Sequence, residues 1–216
     1  MTMKRIQLQK SFFTSPIAFG FNLLLVYIVY GLCRLAYLFE NWSVLSEGFD
    51  KLSFWEAFKG CWMFDTSAIL YTNALYAILM LLPLHVKETD WWQNMAKWIY
   101  ITVNSLCIIA NLSDAVYFQY TGRRTTTSVF QEFSNEGNIA DVMGVEVLRH
   151  WYLVLTGILL IAGLIALYAK PAGEFRLRTQ KDYLRYYITH LICFGLYIPI
   201  TICGMRGGAT TAVRPI

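Results

Sequence analysis

Long apolar stretches alternate along this chain with short polar connections, and their lengths predict membrane-spanning helices. A helix needs about 20 mostly apolar residues to cross the roughly 30 Å hydrocarbon core of a bilayer. Five stretches meet that requirement, at about residues 17–39, 67–84, 97–120, 151–169 and 186–205. The pattern therefore predicts an all-α polytopic membrane protein, with residues 1–205 as a five-helix transmembrane domain.

Two of the connections are amphipathic rather than plainly polar. Apolar residues recur there at helical spacing among charged ones, which is typical of a helix lying in the membrane interface. A partly ordered loop is the alternative. The two segments surround Leu52, Trp55, Phe58 and Trp62 in the first case, and Val129, Phe130 and Phe133 within residues 125–148 in the second.

The composition agrees with a membrane location and excludes other classes of protein. Hydrophobic residues make up 56% of the chain and charged residues 15%, with a mean hydropathy of +0.44. A soluble domain usually carries about a quarter charged residues. A net charge of +4 is also too small for the basic face of a nucleic-acid-binding protein, so no nucleic-acid partner is expected.

The distribution of Lys and Arg predicts the orientation, because basic residues favour the cytoplasmic side. With a cytoplasmic N-terminus, ten of the eighteen basic residues lie inside. The connection from Lys170 to Arg185 carries five bases and two acids, whereas that from Glu40 to Lys59 carries four acids and two bases. Five crossings then place the C-terminus of this multi-pass protein outside the cytoplasm.

The third predicted span carries three polar residues on one face of its helix. At about 100° per residue, Asn111 falls about 20° from Asn104, and Asp114 about 80°. Polar groups inside a bilayer are costly unless they are paired, and an ionisable one is a candidate functional residue. Hydrogen bonding between helices is the structural alternative.

Two adjacent arginines follow the third span. Arg123 and Arg124, with the hydroxyl of Thr125, could bind phosphate oxygens at the outer membrane surface. This predicts a clamp for the headgroup of a phospholipid, and an anionic phospholipid is the expected partner. The structural alternative is pairing with outer acids, and Asp65 at the mouth of the second span is the obvious partner.

The cysteines and histidines predict no catalytic or metal site in this chain. Cys33, Cys61, Cys107, Cys193 and Cys203 show no metal-binding spacing, and the three histidines are dispersed over both predicted sides of the bilayer.

Three sets of motifs, in this order along the predicted spans, resemble the membrane portion of the lipoteichoic acid synthase family. They are FDTSA at residues 64–68, NLSDAVYF at 111–118 followed by YTGRRTT at 120–126, and MRGG at 205–208 with RPI at 214–216. Members of this family are sulfatase-like phosphoglycerol transferases of the alkaline phosphatase superfamily.

The resemblance implies a five-helix membrane domain followed by an extracytoplasmic α/β catalytic domain. That domain would use a Thr nucleophile and a divalent metal, commonly manganese, to move glycerol phosphate from phosphatidylglycerol. Residues 206–216 would begin the linker to it. This chain would then carry no catalytic residue and no cofactor itself, and its partners would be a membrane phospholipid and its own missing catalytic domain.

Two alternatives stay open at this stage. The missing domain could instead transfer phosphoethanolamine, or act as a sulfatase or phosphatase. A different class of function is a stand-alone small transporter whose pathway uses Asn104, Asn111, Asp114 and His190, although no internal repeat supports it.

Overall fold

The computed structural model describes residues 14–49, 54–123, 145–171 and 180–206, and this part of the chain contains helices and no strand. A short 3₁₀ helix, His85–Glu88, precedes α5, and residues 145–149 form a further short helical segment. The seven longer helices are α1 (Thr14–Glu40), α2 (Trp42–Phe49), α3 (Phe54–Thr72), α4 (Ala74–Leu81), α5 (Asp90–Thr121), α6 (Trp151–Leu167) and α7 (Gln180–Arg206).

Three helices, α1, α5 and α7, are each long and apolar enough to cross a membrane. α3 and α4 reach the required length only as a pair, bent by 59° at a break between them. α6 is apolar but has only 17 residues. The described residues therefore support a multi-pass membrane protein with three candidate spans, or four if the bent pair forms one.

The break between α3 and α4 has a local cause in two consecutive polar residues. The Thr72 hydroxyl donates to the Ala68 carbonyl at 2.8 Å, and the Asn73 amide donates to the Ile69 carbonyl at 3.1 Å. Both side chains thus bind carbonyls of the preceding turn, which bends helices because it competes with the backbone ladder. The prediction of one continuous helix over 67–84 is wrong at this point.

The first amphipathic segment is helical but is not a separate interfacial helix. Trp55, Phe58 and Trp62 lie in α3, which continues without interruption to Thr72. The helical spacing of these residues could be read from the sequence. That this helix continues directly into the following apolar stretch could not. α2 is an additional short helix in this connection.

α1 lies at the centre of the bundle and packs most extensively against α5, while α3 packs against α7 and α5 against α6. Its buried positions recur every three or four residues, as an amphipathic helix requires, and include Ala18, Val26, Val29 and Cys33. The remaining face of α1 is exposed and apolar, as Leu24, Ile28 and Leu35 illustrate. Such a face suits contact with lipid.

A buried hydrogen-bond network joins four elements near the start of α1. The Asn22 amide donates to the Tyr76 hydroxyl at 2.7 Å and to the Ala169 carbonyl at 2.9 Å, and its oxygen accepts from the Ala169 N–H at 2.9 Å. The Tyr100 hydroxyl donates to the Asn22 carbonyl at 2.9 Å. Every polar atom of the Asn22 side chain is paired, so this network stabilises the packing of α1 on α4, α5 and the end of α6.

Candidate functional site

A groove of about 490 Å³ lies between α1, α3 and α5, in the half of the bundle nearer Glu40. We call it the polar groove, since an ion pair and several amide, hydroxyl and carboxyl groups line it. Its walls are formed by Tyr30 and Arg34 of α1, by Phe64, Asp65, Ala68 and Thr72 of α3, and by Cys107, Ala110, Asn111, Ser113 and Asp114 of α5.

The ion pair joins Arg34 to Asp65 in a bidentate arrangement. Arg34 Nε donates to Asp65 Oδ2 at 3.1 Å, and Nη2 donates to Oδ1 at 2.6 Å. The two side chains are 19% and 15% exposed, so the pair is neither surface-screened nor fully enclosed. Two parallel bonds fix the plane of the guanidinium as well as its position.

The pair lies close to the expected edge of the hydrocarbon core. α1 has 27 residues, and at about 1.5 Å per residue it is about 40 Å long, about 5 Å longer at each end than a roughly 30 Å core. Arg34 lies six residues before Glu40, the last residue of α1, which is about 9 Å along the axis. If the core is centred on α1, the backbone of Arg34 is therefore about 4 Å inside the boundary, and its long side chain is within reach of a phospholipid headgroup.

Two of the three predicted polar residues of α5 line this groove. Asn111 is half-buried and donates from Nδ2 to the Cys107 carbonyl at 2.9 Å. Asp114 is buried, with 5% of its surface exposed. Both line the same groove as Arg34 and Asp65, so the residues that shared a predicted helix face also share a site with a predicted residue of the second span.

Asn104, the third residue, is engaged elsewhere. Its amide exchanges two hydrogen bonds with that of Asn73, at 2.8 and 3.1 Å, and also donates to the Tyr100 carbonyl at 2.8 Å. Both asparagines are buried. The pair ties the break between α3 and α4 to α5, which is the structural use of intramembrane amides.

The predicted headgroup clamp is described only at its first residue. Arg123 is exposed and follows Gly122, which ends α5 in the left-handed conformation with φ of 64°, a conformation that glycine adopts without strain. Arg124 and Thr125 lie outside the described residues. The expected partner of the clamp, Asp65, makes its bidentate pair with Arg34 instead.

A second polar cluster, at the Glu40 end of the bundle, was not anticipated. The Glu40 carboxylate accepts from Tyr152 at 2.7 Å and from Gln119 at 2.8 Å, and it lies 3.3 Å from His150 Nε2. His150 Nδ1 also lies 3.1 Å from the Glu146 carbonyl oxygen. These residues come from three separate segments of the sequence and share no motif. Only the fold shows that they join the ends of α1, α5 and α6.

The other residues considered for chemistry do not gather into a site. His190 is fully buried in α7, where Nδ1 lies 2.8 Å from the Tyr186 carbonyl oxygen. It belongs to the opposite half of the bundle from the polar groove. Among the residues that the structure describes, no group of three or more His, Cys, Asp or Glu side chains could hold a metal ion.

Comparisons of the chain with family models, with curated proteins and with solved structures return no match. Function must therefore be argued from the polar groove, from the membrane-spanning helices and from the sequence motifs.

Proposed function

We propose that this chain is the membrane domain of a lipoteichoic acid synthase-like phosphoglycerol transferase. In this proposal the bent pair α3–α4 and the short helix α6 each cross the bilayer, which makes five spans. The N-terminus is cytoplasmic and the Glu40 end of the bundle faces outside. The domain anchors an outward-facing catalytic domain in a bacterial cytoplasmic membrane and brings a phospholipid headgroup to it.

The polar groove is the observation that carries this proposal. An ion pair inside a bilayer costs energy that apolar residues would not, yet Arg34 and Asp65 line an open groove rather than a sealed core. The motifs that suggested the family contribute Asp65, Asn111 and Asp114 to this one groove. In this proposal the groove lies just inside the outer edge of the hydrocarbon core, close enough for its polar residues to reach a headgroup.

The start of α3 offers a surface for the catalytic domain at the membrane interface. Trp55, Phe58 and Trp62 are 73%, 50% and 55% exposed on one side of the helix. Aromatic rings of this kind favour the headgroup layer, where the catalytic domain would meet the membrane domain. In this proposal every manganese-dependent step belongs to the catalytic domain.

Release of diacylglycerol tests the proposal. Transfer of the headgroup phosphate breaks the bond between phosphorus and the diacylglycerol oxygen, so diacylglycerol leaves as an alcohol. The full-length protein, purified with its catalytic domain and supplied with Mn²⁺, should release diacylglycerol from phosphatidylglycerol in vesicles. Release from phosphatidylethanolamine instead would indicate a phosphoethanolamine transferase, and release from neither would contradict a lipid headgroup transferase.

The arginine clamp makes a separate contribution to this function. Replacing Arg123 and Arg124 with Ala in the full-length enzyme should slow turnover of lipid in vesicles more than turnover of a soluble headgroup analogue, because the clamp acts on lipid at the membrane surface. Equal losses on both substrates would contradict a role in guiding lipid.

One observation favours a stand-alone transporter as a second candidate. A helix broken near the middle of the bundle, as between α3 and α4, is a feature of transporter binding sites. Against this reading, the amide of Asn73 at the break is already bonded to Asn104. Uptake of a solute by vesicles containing this chain alone would favour the transporter.

A further inference from the structure

The hydrogen-bonding groups of the polar groove identify the kind of headgroup that would fit it. Arg34 is the main donor. A guanidinium has five N–H donors, and Asp65 accepts from only two of them. No other described residue accepts from Arg34, so the remaining donors are available on a side chain whose orientation is fixed by Asp65.

α5 also lines the groove and supplies an acceptor. Asn111 uses its amide nitrogen to bind the Cys107 carbonyl, and its amide oxygen accepts from no described residue. A ligand in the groove therefore meets a planar cationic donor on α1 and an amide oxygen acceptor on α5.

From this arrangement we propose that the polar groove binds the phosphodiester of an outer-leaflet phospholipid whose headgroup also carries a hydroxyl or ammonium donor. The diester oxygens accept from Arg34, which suits the planar geometry of guanidinium–phosphate pairs. The headgroup donor binds the amide oxygen of Asn111. This inference deepens the proposed function and rests on it for the choice of a lipid as the occupant.

The same geometry disfavours a free phosphate ion. The Asp65 carboxylate already neutralises the Arg34 guanidinium in its bidentate pair. A phosphate monoester or inorganic phosphate carries more negative charge than a diester and offers fewer donors, so it gains less from the Asn111 amide oxygen.

Binding can be measured on the chain itself, without any catalytic step. Native mass spectrometry of the protein in detergent would follow the addition of phosphatidylglycerol, phosphatidylethanolamine, phosphatidylmethanol and inorganic phosphate. Phosphatidylmethanol has the charge of phosphatidylglycerol but no headgroup donor. We expect phosphatidylglycerol to bind about fivefold more tightly, the effect of about one hydrogen bond.

Two variants and one control locate the site. The double variant Arg34→Gln/Asp65→Asn keeps polar side chains at both positions and removes both charges of the pair together, and it should weaken binding of every phospholipid about tenfold. Asn111→Leu should remove the preference for phosphatidylglycerol over phosphatidylmethanol. Lys59→Gln is the matched control. It removes an exposed cation from α3, the helix that carries Asp65, but this cation lies outside the groove, so binding should be unchanged.

Swapping the two charged residues distinguishes a role in lipid binding from a role in stabilising the fold. Arg34→Asp/Asp65→Arg keeps an ion pair but moves the guanidinium from α1 to α3. A purely structural pair predicts that this variant restores both thermal stability and lipid binding, whereas the proposal predicts restored stability with weakened binding.

Three outcomes would overturn the inference: unchanged binding in the double variant, an equal affinity for phosphatidylmethanol, or displacement of the lipid by inorganic phosphate at a similar concentration. If the full-length protein releases no diacylglycerol while these binding results hold, the proposed transferase activity is contradicted but the lipid-binding site is not.

Discussion

Replacing Asn22 with Leu should destabilise the bundle far more than the same substitution elsewhere in the membrane region. The side chain of Asn22 is fully buried and makes three hydrogen bonds, to the Tyr76 hydroxyl and to the N–H and carbonyl of Ala169. Leu is close in size but can make none of them. The N–H and carbonyl of Ala169 would lose this partner, and the Tyr76 hydroxyl would keep only its 3.5 Å bond to Tyr168.

The size of the effect follows from the cost of those losses. A hydrogen bond between membrane helices contributes about 0.6 kcal/mol on average, and a buried group left unsatisfied costs about 1–3 kcal/mol. Three groups with partial relaxation give an expected loss of about 2–4 kcal/mol. Asn111→Leu is the matched control, because it loses one bond to a carbonyl of its own helix, and it should cost less than about 1 kcal/mol.

Unfolding in mixed micelles, titrated with SDS and followed by tryptophan fluorescence, gives both free energies on one scale. Equal costs for the two variants, within about 0.5 kcal/mol, would refute the view that the Asn22 network stabilises the packing of α1. Normal stability of Asn22→Leu would refute it as well.

Three further predictions test other contacts by the same unfolding assay. Gly204→Ala should be about 1 kcal/mol less favourable than Gly195→Ala, because its new Cβ forces the side chain of Leu70 in α3 to shift, whereas Gly195 has open space around it; equal effects would contradict close packing of α7 on α3. Arg34→Leu should cost about 1–3 kcal/mol by leaving the Asp65 carboxylate unpaired and partly buried, and the double variant with Asp65→Leu should recover most of it; no recovery would mean that the charges do not interact. Asn73→Leu and Asn104→Leu should show a coupling energy of about 1 kcal/mol in a double-mutant cycle, and additive effects would mean that their amides do not bond.

Much of the fold could be predicted from the sequence, because crossing a bilayer imposes long apolar helices. All five predicted stretches are helical in the structure, although their ends shift; the third begins at Asp90 rather than Lys97. The break at Asn73 was not predicted. It depends on two side chains that bind carbonyls of the preceding turn, and the apolar residues around them hide this effect in a hydropathy pattern.

The candidate site could be predicted only one helix at a time. The spacing of Asn111 and Asp114 placed them on one face, and a family motif singled out Asp65. Arg34 was not among the predicted site residues, because nothing in the local sequence shows which acid it meets. Its pairing with Asp65 depends on how α1 packs against α3, and the sequence alone does not determine that packing.

A groove that serves outward-facing chemistry must open on the outer side of the cytoplasmic membrane, and this sidedness can be measured directly. Single cysteines at Arg123→Cys, just after α5, and at Gln180→Cys, the start of α7, would be placed in a protein whose five native cysteines are replaced by Ala. A membrane-impermeant maleimide added to intact cells should label position 123 and should reach position 180 only after the membrane is permeabilised. Labelling of position 180 but not of position 123 in intact cells would place the polar groove on the cytoplasmic side and contradict the proposed function.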